Sequence, residues 1–298
     1  MLKLALPNKG RLAEETRELF ADAGLAVQVR GERALSASLG GEFEAIFVRA
    51  QDISEFVADG AADAGVTGWD LVCESGRTLS DLLDLEFGRC RLVVAAREES
   101  GIAALEDLVG RPRVATPFPR IAGGFFERAG RPVDVVPLSG AAEIAPHLGI
   151  ADIVVDLTST GSTLRVNGLR EVATVMESSA RLIAAPGLMN GGAAGPSPSG
   201  ARVGTCAALH ELVAALTSVL RARGQRYVMA NVPRAALERG RTVLPGLNGP
   251  TVIDVLNGGE IVAVHAVAPA RTIYRTIRDL KALGAEGILV TRIERLMP

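Results

Sequence analysis

Two textures of apolar residues alternate along the chain. Short runs such as Leu2 to Leu6, Ala45 to Val48 and Ala62 to Thr67 predict strands. Between them, apolar positions spaced three or four apart predict helices from Lys9-Gly10-Arg11 to about Ala23, over Gln51 to Asp59, and from Trp69 onward. The pattern continues with strands at Arg91 to Ala96, Leu105 to Leu108 and Arg113 to Thr116, a helix over Gly123 to Ala129, and a strand at Val133 to Pro137. A short helix or turn in AEIAPHLG leads into Ile153-Val154-Val155, whose β-branched run predicts a strand buried on both faces. Strands at Val172 to Val175 and Ala180 to Ala184 precede GLMNGGAAGPSPSG, which reads as a surface loop or linker. A helix from about Cys206 to Arg223 follows. The remainder reads strand (Tyr227 to Val232), helix (Arg234 to Arg239), strand (Thr251 to Val255), strand (Ile261 to Ala268), helix (Arg271 to Leu283), strand (Gly287 to Ile293). Alternating strands and helices predict an α/β fold, and the closing β-α-β-β-α-β order predicts a separate ferredoxin-like domain.

Length and charge narrow the field. A chain of 298 residues exceeds one typical domain. A net charge of −2 and a pI near 6.0 give no electrostatic footprint for nucleic acid, so phosphates must be met by local cations. Cys73, Cys90 and Cys206 are widely spaced without a CxxC or Cys/His pattern, which points to free thiols rather than a disulfide framework or metal site. MLKLALPNKGRL has too short an apolar run for a signal peptide, and no segment reads as a membrane span. A cytoplasmic protein is expected.

The most informative stretch is EIAPHLGIADIVVDLTSTGSTL, from Glu143 to Leu164. The buried strand stops at Asp156, and Thr158, Ser159, Thr160, Gly161, Ser162 and Thr163 follow as a loop of five hydroxyls and a glycine. Hydroxyls and closely approaching amides suit phosphate oxygens, whereas a carboxylate suits sugar hydroxyls. Glu143 brings a second carboxylate to the same strand end, and two acids beside one phosphate cradle suggest a phosphorylated ribose. The alternative is that Asp156 and Thr158 cap a helix starting near Thr163.

These residues resemble the signature of the ATP phosphoribosyltransferases. Glu143, Gly149, Ala151, Val154, Asp156, Leu157, Thr160, Gly161, Thr163 and Leu164 fill it without a gap. LALPNKGRL, VRAQDI, DAGVTGWD and FGRCRL extend the resemblance over nearly the whole chain, and the C-terminal region makes it similar to the long form of the family. The resemblance implies a two-lobed, periplasmic-binding-protein-like catalytic core, with lobe 1 formed by residues 1–89 and 178–223, lobe 2 by residues 90–177, and a regulatory domain at residues 224–298. It implies attack of the ATP adenine N1 on C1 of phosphoribosyl pyrophosphate with inversion, Mg²⁺ accompanying the pyrophosphate, histidine as inhibitor, and a homohexamer built from dimers.

By the same resemblance, Glu143 and Asp156 would hold the ribose 2′- and 3′-hydroxyls, and residues 158–163 the 5′-phosphate. Lys9 and Arg11 would line the cleft and meet pyrophosphate or ATP phosphates, unless they are ordinary solvated charges at a helix start. Arg49, Asp52 and Asp70 occupy lobe 1 strand ends, although Asp52 suits a helix cap and Asp70 an arginine partner. Thr116, Phe118 and Arg120 form a loop that would face the adenine, unless Phe118 simply packs between its prolines. Arg89 and Arg91 bracket the crossing between lobes, to reach substrate or to hold the hinge. Trp69 and the unclustered His147, His210 and His265 read as structural. Asn231, Thr251 and Val267 fall where the long form binds its effector, with Asn231 replacing a charge found in some relatives. Two competing classes are a solute receptor sharing the two-lobed fold, and a regulatory partner without activity.

Overall fold

The computed structural model describes residues 1–29, 35–190, 202–255 and 259–297, so residues 191–200 of the expected linker lie outside the described residues. The chain divides into two compact units, Met1–Val213 and Ala214–Pro298.

The first unit opens with β1 (Leu2–Pro7), α1 (Arg11–Asp22), β2 (Val27–Val29), β3 (Ser36–Leu39), β4 (Phe43–Val48), α2 (Ile53–Ala58), β5 (Ala64–Gly68), α3 (Trp69–Ser75) and β6 (Ser80–Asp84). It continues with β7 (Cys90–Arg97), β8 (Arg113–Thr116), α4 (Pro119–Arg128), β9 (Asp134–Pro137), β10 (Ile153–Thr158), α5 (Ser162–Val166) and β11 (Leu169–Ser178), then β12 (Ala180–Ala184). One lobe holds a seven-stranded sheet ordered β2-β3-β4-β1-β5-β12-β6, and the other a five-stranded sheet ordered β11-β7-β10-β8-β9. The chain passes between them at β6 to β7 and at β11 to β12.

Strand direction explains where a site can form. In the first sheet β1, β4 and β5 are parallel, and β12 enters antiparallel with Ala180 opposite Gly68. In the second, β8, β9 and β10 are parallel, β7 enters with Arg91 opposite Thr158, and β11 leaves with Ser178 opposite Cys90. Both lobes therefore present the carboxyl ends of their parallel strands at the two crossings, the end of an α/β sheet where ligands collect.

The Ile153-Val154-Val155 run is buried on both faces. Ile153 and Val155 pack with Phe118, Ala122 and Phe126, while Val154 packs with Val93, Ala142 and Leu164. Each large side chain so buried contributes about 1.5–3 kcal/mol. Leu105–Asp107 is a 3-10 turn rather than the expected strand, because Asp107 accepts hydrogen bonds from the amides of Ala103 and Ala104, both at 2.8 Å.

Helix α4 starts four residues before the expected Gly123. Pro119 suits its first position, and Glu74 of α3 accepts hydrogen bonds from the next two amides, Arg120 at 2.9 Å and Ile121 at 3.0 Å. A carboxylate of one lobe thus caps a helix of the other, complementing its dipole. Glu74→Ala is expected to leave both amides without this acceptor and to lower stability by about 1–2 kcal/mol, while Glu74→Gln recovers part of that. Thermal melting checks this, and an unchanged midpoint for the alanine variant contradicts it.

Helix α6 (Arg202–Ala222) contains the boundary between units. The division between the units falls within this helix, at Ala214, and the C-terminal segment bonds back onto the helix through Leu296 N to Ser218 O at 2.9 Å. Contrary to expectation, Thr205–Ala222 is long and apolar enough by composition to cross a membrane. It nevertheless buries Leu209, Leu212, Leu216 and Val219 within the protein.

The second unit carries β13 (Gln225–Pro233), α7 (Leu237–Val243), β14 (Thr251–Asp254), β15 (Ile261–Pro269), α8 (Ile273–Ala282) and β16 (Glu286–Arg292). Its antiparallel order β14-β15-β13-β16 is the ferredoxin-like arrangement. Val228, Ala230, Val232, Val262 and Val264 on one face pack with Leu244 and Leu280.

Candidate functional site

The register places Asp156 opposite Val93 and Thr158 opposite Arg91, so these residues share the sheet face that packs against Ala142 and Leu164. Glu143 lies on that side too, in a 3-10 turn (Ala142–Ile144) that follows Ala141 at φ 52°. A left-handed non-glycine residue stores strain, and it sits two residues before a candidate site carboxylate. Burial pushes the Asp156 carboxyl above its usual range, the amide of Leu157 at 2.7 Å pulls it back, and the nearby Glu143 charge pushes it up again.

The loop after Asp156 sorts its hydroxyls. Thr158 is buried and its Oγ1 accepts the Gly161 amide at 2.8 Å, closing the turn from inside. Ser159, Thr160, Ser162 and Thr163 are exposed, with Thr160 Oγ1 and Ser162 Oγ 2.9 Å apart. Gly161 adopts φ 74°, and a Cβ there would come within 2.8 Å of Glu171 Oε1. Neither Asp156 nor Thr158 caps α5, which has no side-chain cap. The capping alternative is therefore not what the chain does with these residues. The arrangement offers outward hydroxyls for an anion and two electrostatically coupled carboxylates for a neutral, hydroxyl-rich or cationic group.

In the other lobe, Lys9 and Arg11 follow β1 and are exposed, flanking Gly10 at φ 78°, and Arg11 pairs with Glu15 one turn on. Arg49 follows β4 and is exposed, and Asp52 makes no side-chain capping bond to α2. These residues stand at the same sheet edge as the crossings.

Three expectations are revised. Asp70 is 5% exposed and accepts the Ser178 hydroxyl at 2.5 Å, while its own amide donates to Ser178 Oγ at 3.0 Å. It therefore pins α3 to the crossing instead of lining an open cleft or pairing with an arginine. Thr116 is fully buried and takes the Phe118 amide at 2.9 Å, and Phe118 is inserted in the core under α4, on the sheet face opposite to Asp156. Strand parity sets Thr116 on the sheet face opposite to Asp156, and Phe118, just beyond the strand, joins the core on that face.

Glu171 was missed by sequence reasoning. It belongs to no motif, and only the fold brings it against Gly161, where Arg91 holds it through bonds of 2.8 and 3.1 Å. In sequence it is one of three charged residues of β11, with Arg170 and Glu177, and nothing local sets it apart.

In the second unit, Asn231 is opposite Ala263, Thr251 opposite His265 and Val267 opposite Tyr227, which sets all three on the face not covered by α7 and α8. Tyr227 OH and His265 Nδ1 are hydrogen-bonded on that face. His147 and His210 meet the backbone carbonyls of Asn167 and Cys206. Arg181 stacks 5.7 Å over Trp69. The three cysteines are free. Among the described residues, no group of three or more His, Cys, Asp or Glu side chains is arranged to hold a metal ion.

The chain matches the ATP phosphoribosyltransferase family model over residues 49–194 and the HisG C-terminal domain model over residues 222–295. It is 69% identical to the ATP phosphoribosyltransferase of Gemmatimonas aurantiaca and 48% identical to that of Natronomonas pharaonis, in each case over 100% of both chains. Among solved structures it is similar to the ATP phosphoribosyl transferase HisG:HisZ complex of Thermotoga maritima, with a TM-score of 0.60 and 27% identity over 73% of this chain and 99% of that one. The β-α-β-β-α-β unit of residues 225–292 coincides with the family's C-terminal domain, and the Glu143 to Leu164 segment lies within the matched catalytic region. This protein belongs to the ATP phosphoribosyltransferase family, in its long form.

Proposed function

We propose that the chain transfers the 5-phosphoribosyl group of phosphoribosyl pyrophosphate to N1 of the ATP adenine, releasing pyrophosphate, in the first step of histidine biosynthesis. The observation that carries this reading is the set of exposed hydroxyls, Ser159, Thr160, Ser162 and Thr163, beyond a strand whose carboxylate, Asp156, feels the charge of Glu143.

Adenine N1 already has a lone pair, so no strong base is needed to make the nucleophile. The demanding events are cationic charge growing at the ribose and negative charge leaving on pyrophosphate, and both respond to positioning and fixed charge. In this assignment the loop holds the 5′-phosphate, and Glu143 and Asp156 hold the 2′- and 3′-hydroxyls. Ionised Asp156 is held in a partly dehydrated place, so it gains most when a cationic ribose centre develops beside it. Lys9, Arg11 and Arg49 are the exposed cations assigned to the pyrophosphate and ATP phosphates. Mg²⁺ carried by the substrate diphosphate would supply positive charge to offset the negative charge of the departing pyrophosphate.

We place histidine, as feedback inhibitor, on the helix-free face of the C-terminal sheet at Asn231, Thr251 and Val267, with the assembly a homohexamer built from dimers. Asn231 supplies hydrogen bonds but no charge to an effector amine, so inhibition should be weaker than in relatives with an acidic residue there. The proposed setting is the cytoplasm.

The purified protein with Mg²⁺, ATP and phosphoribosyl pyrophosphate is expected to form N1-alkylated adenine, read by its near-ultraviolet absorbance, with one pyrophosphate released per product. The same assay with L-histidine, paired with light scattering, tests the effector. Absence of product from folded, oligomeric protein contradicts the reaction, and a monomer indifferent to histidine contradicts the regulation.

A further inference from the structure

Arg91 and Glu171 form a two-pronged ion pair, with Arg91 Nη1 to Glu171 Oε2 at 2.8 Å and Nη2 to Oε1 at 3.1 Å, each side chain about one-third exposed (35% and 33%). The same Oε1 lies where a Cβ on Gly161 would be 2.8 Å away, so this carboxylate touches the turn of the hydroxyl loop. Arg91 is the register partner of Thr158 on one side and of Glu177 on the other, one residue after the chain crosses between lobes. A carboxylate pressed against a loop that receives a phosphate dianion is an electrostatic contradiction, unless a cation is locked to it.

We infer that the Arg91–Glu171 pair is a positioning device for the phosphate loop. Glu171 is a wedge that sets the turn at Gly161, and Arg91 both aims that wedge and cancels its charge, so that the loop receives phosphate without repulsion. Arg91 acts through Glu171 and is not itself a ligand of the phosphate. Two features support this. A two-pronged guanidinium–carboxylate pair has fixed geometry, and already occupies both oxygens of Glu171 and two nitrogens of Arg91. Glu177 also lies within electrostatic reach of Arg91, so loss of Arg91 uncovers negative charge that one carboxylate alone does not account for. The inference rests on the assignment of the 5′-phosphate to residues 159–163.

The test is a two-by-two set of steady-state measurements on Arg91→Met, Glu171→Gln and the double variant, with KM determined for each substrate and thermal melting as a check on folding. Arg91→Met is expected to raise KM for phosphoribosyl pyrophosphate by about tenfold or more through uncompensated charge, while KM for ATP changes by less than about threefold. Glu171→Gln alone changes KM for phosphoribosyl pyrophosphate by less than about threefold, because the amide fills the same space without charge. The double variant recovers most of the Arg91→Met loss, and the Arg91→Met defect shrinks as salt is raised. Recovery of this kind is not produced by a merely structural pair, whose double variant would be no better than the worse single one. A double variant as poor as Arg91→Met overturns the inference, in favour of direct phosphate contact or packing alone. So does an Arg91→Met protein with unchanged KM values. An Asp156→Asn protein with normal KM for phosphoribosyl pyrophosphate would instead remove the underlying site assignment, so the two failures are separable.

Discussion

Asp156→Asn is expected to lower kcat/KM for phosphoribosyl pyrophosphate by about 10²–10³, while leaving KM for ATP within about threefold. The substitution keeps the shape and an oxygen for the Leu157 amide, now 2.7 Å away, and removes only the charge. The lost stabilisation therefore belongs to the developing ribose cation and to the sugar hydroxyls. The same variant should melt at a higher temperature than the parent at neutral pH in the absence of substrate. Burial raises the folded-state pKa of Asp156 above its unfolded value, with the Glu143 charge adding to the rise. The native state then binds more protons between those two values, so this residue's contribution to stability is complete below the unfolded pKa and is lost as pH rises through the folded pKa. Above its folded-state pKa the parent carries the cost of an ionised, partly buried carboxylate and the asparagine does not. Below the unfolded pKa the difference disappears. A melting temperature lower than the parent's at neutral pH, or a KM for ATP raised as much as that for phosphoribosyl pyrophosphate, contradicts this account of Asp156.

Gly161→Ala should be the most damaging single-methyl change in the chain's second lobe. The backbone at φ 74° disfavours any side chain, and the added carbon would fall 2.8 Å from Glu171 Oε1. A carboxylate at the end of a free side chain would swing aside, but this one is held by both prongs of Arg91. The loop must give instead, and the Thr158 Oγ1 bond to the Gly161 amide at 2.8 Å goes with it. The expected result is about 1–2 kcal/mol of destabilisation and a fall of about 10² in kcat/KM for phosphoribosyl pyrophosphate. Gly149→Ala provides the comparison: φ is similarly positive at 67°, but the new carbon meets nothing within 4 Å. That variant should share the backbone strain and retain most of the activity. Equal activity in the two variants would show that crowding at Gly161 is unimportant.

Much of this was legible in one dimension. The doubly buried Ile153-Val154-Val155 strand, the polar break at Asp156 and the glycine at 161 are local facts, and local patterning reports them faithfully. The ferredoxin-like order of the last unit was legible for the same reason, since its central strands β13 and β15 alternate buried and half-buried positions. What failed depended on which face of a sheet a residue takes once the partners are known. Thr116 and Phe118 lie near a strand end as Asp156 does, yet α4 covers them because Phe118 completes the core beneath it. Asp70 reads in sequence as a cleft residue or an arginine's partner because its actual partner, Ser178, is distant in sequence and arrives only when β11 returns to the crossing. Strands β2, β3 and β6 were not read, being short segments in which polar residues dilute the apolar pattern, as in SASL and SDLLD. Glu171 escaped for the strongest reason: its significance is a contact with Gly161 and Arg91, and neither is near it in the chain.

The account stands on one lobe holding the ribose phosphate through Asp156 and the loop that follows it. Calorimetric titration of phosphoribosyl pyrophosphate with Mg²⁺ into the parent protein and into Asp156→Asn tests that directly, with ATP titrated into both as the control. The expected result is binding of phosphoribosyl pyrophosphate weakened by about tenfold or more in the variant, with ATP binding retained. Undiminished binding of phosphoribosyl pyrophosphate together with weakened ATP binding would contradict it, and would assign this strand end to the nucleotide.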